Sequence, residues 1–209
     1  MADNINDRGF DDADAMGKVG ENHYIKVLER RKERGRIKGY MDLREHPLFK
    51  LVDIDFAVFT GDKEYTELDI VRMVLNRNHE DDCCLIDVKV DADTLTTGNV
   101  YLEWTAHLKP GCFGTTHADK WVYYAIEKGE KDVKKLKEED LRKAWSVNMP
   151  KLRKLIGSRD KMEVVRNGKQ VWRPHYCKSE TKENFGYLMN IEYLVENGVM
   201  KELNICQTQ

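Results

Sequence analysis

The chain has 209 residues, with 35 Lys+Arg against 37 Asp+Glu for a formal net charge of −2. That length suits one domain with its own hydrophobic core, and with 34% charged residues and no apolar run near the ~20 needed for a membrane helix, a membrane protein is excluded. The balanced charge gives no global attraction to nucleic acid or lipid, so such a partner must be met by a local patch.

In chain order, residues 1–12 read as a flexible acidic tail, and residues 13–209 as a single domain with a core over about 15–126 and an extension over about 145–209. Met1 to Asp14 carries five Asp and no apolar segment of a signal peptide, which predicts a cytoplasmic protein. From Ala15, Met16, Val19, Tyr24, Val27 and Leu28 recur at helical spacing, and Gly35 closes this first helix. Its far end holds Arg30, Arg31, Lys32, Arg34, Arg36 and Lys38. These are either a solvated helix end favoured by the helix dipole or a phosphate-contacting patch.

Alternation over Leu51 to Phe59 predicts a strand with Val52, Ile54, Phe56 and Val58 on one face and Asp53 and Asp55 on the other. Cys84 to Val90 predicts a second, with Asp87 and Lys89 opposite Ile86, Val88 and Val90, and Val100 to Thr105 a third that carries Glu103. Thr97-Gly98-Asn99 supplies turn chemistry before it. The three are expected to be neighbours. Thr116 and Asp119 then read as the capping box of a second helix running through Trp121 to about Lys128. Residues 127–143 look like a solvated turn and helix, Asn167-Gly168 marks a hairpin, and a short helix starts at Ile191.

Asp55, Asp87 and Lys89, with Glu21 on the preceding helix, carry the chemistry. Carboxylates pointing one way from adjacent strands suit a hard divalent cation such as Mg²⁺ or Mn²⁺, and a lysine on the same face can hold the water that such an ion activates. Of three Asp/Glu-x-Lys triplets, Asp132-Val-Lys134 and Glu180-Thr-Lys182 fall in polar segments, and Asp87-Val-Lys89 alone lies inside an apolar strand. Thr116, His117 and Lys120, at the expected helix start, can meet a substrate phosphate. Five cysteines without a CxxC pair support neither a disulfide framework nor a four-thiolate zinc site, and the missing G-x-x-x-x-G-K-[ST] loop gives no support for a nucleotide cofactor.

The order of helix with Glu21, strand with Asp55, strand with Asp87-Val88-Lys89 resembles the core of the PD-(D/E)XK nuclease superfamily. Asp87-Val-Lys89-Val-Asp91, Thr97-Gly98-Asn99 through Glu103, and Gly114 through Val122 are similar to phage and bacterial nuclease-like proteins. The resemblance implies an α/β restriction-endonuclease-like fold, a central mixed β-sheet flanked by helices, here with a C-terminal hairpin and helix extension. It implies metal-dependent hydrolysis of DNA phosphodiester bonds in replication, recombination or repair. Asp55, Asp87 and the Val88 carbonyl would bind Mg²⁺ or Mn²⁺, Lys89 would face the nucleophilic water, and Glu21 would assist through water. Glu103 is a candidate for a second metal or for strand-end structure, and Asp53 competes with Asp55. DNA would be met by Arg30, Arg31, Arg34, Thr116, His117 and Lys120, and symmetric cutting of both strands would call for a homodimer. The alternative is a catalytically inactive nuclease-fold module that binds nucleic acid or protein, to which the Asp in place of the commoner Glu before x-Lys points.

Overall fold

The computed structural model describes residues 10–106, 109–127, 132–158, 165–166, 169–178 and 183–204. Helix α1 (Phe10–Glu33) starts inside the segment read as a tail, and its buried face runs through Met16, Gly20, His23, Tyr24 and Leu28. It ends as the sequence predicts. Gly35, at φ 64°, donates to the Lys32 carbonyl while the Arg36 amide reaches that of Arg31, the left-handed cap for which glycine is suited.

The expected strand over 51–59 is instead a helix end at Leu51, a turn over 52–55 and a strand only from Phe56. After β1 (Gly39–Asp42), Pro47 opens a short helix α2 (Pro47–Leu51), the chain turns at Asp53 with φ 47°, and β2 (Phe56–Phe59) begins only after Asp55. The apparent alternation joins two different cores: Ile54 packs with Leu43 and Phe49, whereas Phe56 and Val58 pack under α1. Helix α3 (Glu67–Asn76), with a Thr66/Asp69 capping box, leads to β3 (Cys83–Asp91). As predicted for β3, Ile86 and Val88 belong to the core beneath α1, and Asp87 and Lys89 point the other way.

The third acidic strand is not a neighbour of β3. A short helix α4 (Thr94–Thr97) and Gly98, at φ 66°, turn the chain into β4 (Asn99–Ala106), which with β5 (Lys109–Pro110) forms part of a separate sheet. The predicted second helix is also overturned. A single turn α5 (Cys112–Thr115) is followed by strand β6 (Lys120–Ile126), parallel to β3. Trp121 to Ile126 are all buried, the continuous apolar run of a strand covered on both faces. The two residues read as a capping box tie loops together instead: Thr116 Oγ donates to the Asp53 carbonyl, and the Asp119 carboxylate accepts the Leu85 amide at 2.8 Å.

Where a charged helix was expected, two 3-10 turns (Val133–Lys135 and Glu138–Asp140) lead into β7 (Leu141–Asn148). Helix α6 (Met149–Gly157) follows, then the hairpin strands β8 (Val165–Arg166) and β9 (Lys169–Gln170), whose Asn167-Gly168 turn lies outside the described residues. Strands β10 (Trp172–Lys178) and β11 (Glu183–Asn190), the expected helix α7 (Ile191–Glu196) and β12 (Met200–Leu203) complete the chain.

The fold is α/β, with a mixed six-stranded sheet of order β1-β2-β3-β6-β7-β12 flanked by helices, and a four-stranded sheet of order β10-β11-β4-β5. The C-terminal extension is therefore woven into the core, because β7 and β12 join the main sheet and β11 pairs with β4. One face of the main sheet packs on α1. On the other, Leu85 and Ala57 pack with α3, and Trp121, Tyr123 and Val147 pack with α6, α7 and the second sheet. No helix among the described residues is long and apolar enough to cross a membrane.

Candidate functional site

The site forms where β2 leaves β3. Their ladder runs to Phe56 opposite Ile86, and the Asp55 amide still donates to the Ile86 carbonyl at 2.8 Å. One step further, the Val88 amide has no strand beside it, and the Asp55 carboxylate takes its place as acceptor, with Oδ2 at 2.7 Å. A buried backbone donor needs such a partner, so the parting of the strands itself fixes the Asp55 side chain.

Asp87 and Lys89 project from the same face of β3, two residues apart. Asp87 is 2% exposed; its Oδ1 lies 2.9 Å from Lys89 Nζ, and its Oδ2 is buried without a hydrogen-bond partner. Lys89 Nζ is also 3.9 Å from Asp53 Oδ1 and 5.8 Å from the centre of the Trp121 ring. Asp53 is held in turn by the Thr115 hydroxyl, which donates to its Oδ2. Glu21, on α1, accepts from Arg44 Nη1 at 3.1 Å, and Arg44 also grips Asp42 through Nη2 at 2.7 Å.

The electrostatics show an excess of negative charge. Burial pushes the Asp87 carboxyl well above the ordinary carboxylate range; Lys89 opposes this, and the charges of Asp55 and Asp53 add to it. Asp55 is raised by burial against the pull of Lys89, the Val88 amide and a contact with the Asp87 carboxyl. Glu21 is raised by burial and by the charge of Asp55, with Arg44 opposing. Burial alone would lower Lys89, but the surrounding carboxylates, Asp87 foremost, outweigh it and hold the ammonium charged. Four carboxylates (Glu21, Asp53, Asp55 and Asp87) thus face two cations, one of them shared with Asp42.

Among the described residues, no three His, Cys, Asp or Glu side chains converge as the ligands of one ion. A Mg²⁺-like ion needs only one or two carboxylates and keeps several waters, so the fit turns on the two carboxylates at the fork. The partnerless Asp87 Oδ2, beside a carboxyl that burial has made reluctant to ionise, fits a hard cation.

The remaining sequence candidates are dispersed. Val88 contributes its amide to Asp55 while its side chain packs under α1. Glu103 stands on the face of β4 opposite the buried Val100 and Leu102, accepts from Asn184 Nδ2 at 3.0 Å, and helps to raise the Cys112 thiol. Thr116 and His117 line a cleft of about 250 Å³ with Arg77 and Arg153, next to Leu85. Arg30, Arg31, Arg34 and Lys120 line a different cavity, beneath α1. Lys120 shares that face of β6 with Val122 and Tyr124, so it and His117, expected on one turn, are parted by the sheet.

Sequence reasoning missed three residues. Arg44 lies in an irregular loop with no motif around it, and only the fold brings it to Glu21. Thr115, just before the predicted capping box, fixes Asp53. Cys112, at the first position of α5, is pushed up to about 12 by burial, against the opposing charge of Lys89. No protein-family model, no curated protein sequence and no solved structure matches the chain.

Proposed function

We propose that the protein is a Mg²⁺- or Mn²⁺-dependent phosphodiester hydrolase acting on DNA, built on a restriction-endonuclease-like core. The observation that carries this reading is the strand fork. It sets the Asp55 carboxylate against the Val88 amide and leaves Asp87 and Lys89, 2.9 Å apart, on one face of β3. In this reading Asp55 and Asp87 hold the metal, and Glu21 borders it through water. A bound divalent cation would supply charge stabilisation at the scissile phosphate and acidify a water.

The chain's own contribution is orientation and charge. Lys89, kept protonated by the carboxylates around it, donates hydrogen bonds to the attacking water and to the phosphate oxygens. Asp53, fixed by Thr115, balances the ammonium and limits the directions in which it can point. Arg77, Arg153 and His117, around the neighbouring cleft, are suited to the flanking phosphates.

The test is incubation of wild type and Lys89→Ala with branched, duplex and single-stranded DNA in Mg²⁺, Mn²⁺ or chelator. Metal-dependent cleavage by wild type, lost in Lys89→Ala while DNA binding persists, supports the reading. Cleavage in chelator, or undiminished cleavage by the variant, removes it.

A second reading, a nuclease-fold module without turnover, is favoured by one observation: Asp87 and Lys89 already neutralise each other as an ion pair. It predicts no metal uptake at millimolar concentration, together with no cleavage of any DNA in the panel.

A further inference from the structure

The cavity under the C-terminal half of α1, on the sheet face opposite Asp87, measures about 560 Å³, a size typical of small-ligand pockets. Arg30, Arg31, Arg34 and Arg36 reach it from the end of α1 and the turn after it, Lys120 from β6 and Lys201 from β12, against one lining carboxylate, Glu202. This is a concentration of cations in a chain of net charge −2.

Some other surface cations are matched locally: Lys18 with Asp14, Lys26 with Glu138, Lys38 with Asp62, Arg142 with Glu127. Around the cavity, none of Arg31, Arg34, Arg36, Lys120 and Lys201 forms an ion pair with a described carboxylate. The floor is largely apolar, with Val58, Ile86 and Val122, and Ser146 stands in it beside Val122; Thr60 also lines the cavity.

We propose that this cavity binds an organic di- or triphosphate, its phosphates held by the Arg/Lys rim and its uncharged part against the apolar floor. A single anion would leave most of these like charges repelling one another, whereas a polyphosphate satisfies several at once. Guanidinium groups hold phosphate oxygens in pairs, so no glycine-rich loop is needed. A concave cavity with an apolar floor suits a compact ligand better than the side of a duplex. The same chemistry is offered by a free nucleoside triphosphate and by the 5′-triphosphate end of a nucleic-acid strand. The proposal is independent of the hydrolase reading, because it uses the opposite face of the sheet.

The test is calorimetric titration, at low salt, of tripolyphosphate, ATP, and a short oligonucleotide with a 5′-triphosphate or a 5′-hydroxyl. The proteins are wild type, Arg34→Ala, Lys201→Ala and, as a surface cation outside the cavity, Lys50→Ala, each checked by circular dichroism. The expected result is saturable binding to wild type, weakened about tenfold or more by Arg34→Ala and by Lys201→Ala and unchanged in Lys50→Ala. Tighter binding of the 5′-triphosphorylated oligonucleotide than of the free polyphosphates identifies a strand end as the source; the reverse order identifies a free nucleotide. No saturable uptake of any of these ligands, equal affinity in wild type and both rim variants, or an equal loss of binding in Lys50→Ala overturns the proposal.

Discussion

The two faces of the main sheet carry opposite charge under opposite conditions, and one helix serves both. At its middle α1 presents Glu21 to a cluster in which Asp87 is 2% exposed; at its end it presents arginines to an open cavity. Charge that is buried must be settled within the protein, so on the Asp87 face each ionisable group sets the state of the next. Charge that stays hydrated costs little stability and remains available to a ligand. Substitutions on the two faces are therefore expected to differ in kind.

The largest stability effect is expected from Lys89→Met, which leaves Asp87 buried without its cation. Removing one partner of such a pair costs about 3–5 kcal/mol at neutral pH. Protonating Asp87 relieves that penalty, so urea unfolding will find the variant closer to wild type at about pH 5 than at about pH 7.5. An equal deficit at both values would mean that the carboxylate is not what suffers.

Gly20→Val ranks next. A Cβ at Gly20 would collide with Val90 Cγ2 and press on Tyr124, so the side chain would drive α1 off β3 at the point that sets the position of Glu21. Overpacking of this kind costs about 1–3 kcal/mol, measurable by denaturant unfolding. If the proposed hydrolysis is correct, cleavage falls as well; a variant as stable as wild type would show that the helix is not seated as described.

A smaller effect comes from pH and metal together. Glu21, Asp55 and Asp87 have raised pKa values in the folded state and titrate near 4 when unfolded. Their stabilising contribution is fully present below about pH 4 and is lost as pH rises through their folded-state values. A divalent cation competes with those protons, so Mn²⁺ is expected to raise the thermal midpoint by about 2–5 °C near pH 8 and by less near pH 5.5. A shift independent of pH would place the ion elsewhere.

The smallest effects belong to the cationic face. Arg34→Ala and Lys201→Ala are expected to move the thermal midpoint by about 1–2 °C at most in the absence of ligand, in the direction of greater stability as like charges part. A large loss in either variant would erase the contrast between the faces.

How much of this was legible in the sequence follows from the range of each interaction. Helix α1, its glycine stop and the two faces of β3 depend on contacts within a few residues or on simple periodicity, and the sequence carries them. The alternation at 51–59 misled because Ile54 and Phe56 look like one face but belong to two cores, a distinction made only by distant elements. The run after Thr116 bears a helix-start signal and then forms a strand, since burial between β3 and β7 overrides local capping. In the candidate site, Asp55, Asp87 and Lys89 were found because an acidic x-Lys unit inside an apolar strand is unusual. Arg44, Thr115 and Cys112 were not, since each reaches the site through tertiary folding. The same limit grouped Lys120 with His117, which the sheet separates.

The central claim is that the carboxylates at the strand fork take up a hard divalent cation. Calorimetric titration of Mn²⁺ into wild type and Asp87→Asn at about pH 7.5 tests it most directly. The account predicts saturable uptake by wild type that is abolished or weakened at least about tenfold in Asp87→Asn. No uptake at millimolar Mn²⁺, or the same isotherm for both proteins, would contradict it.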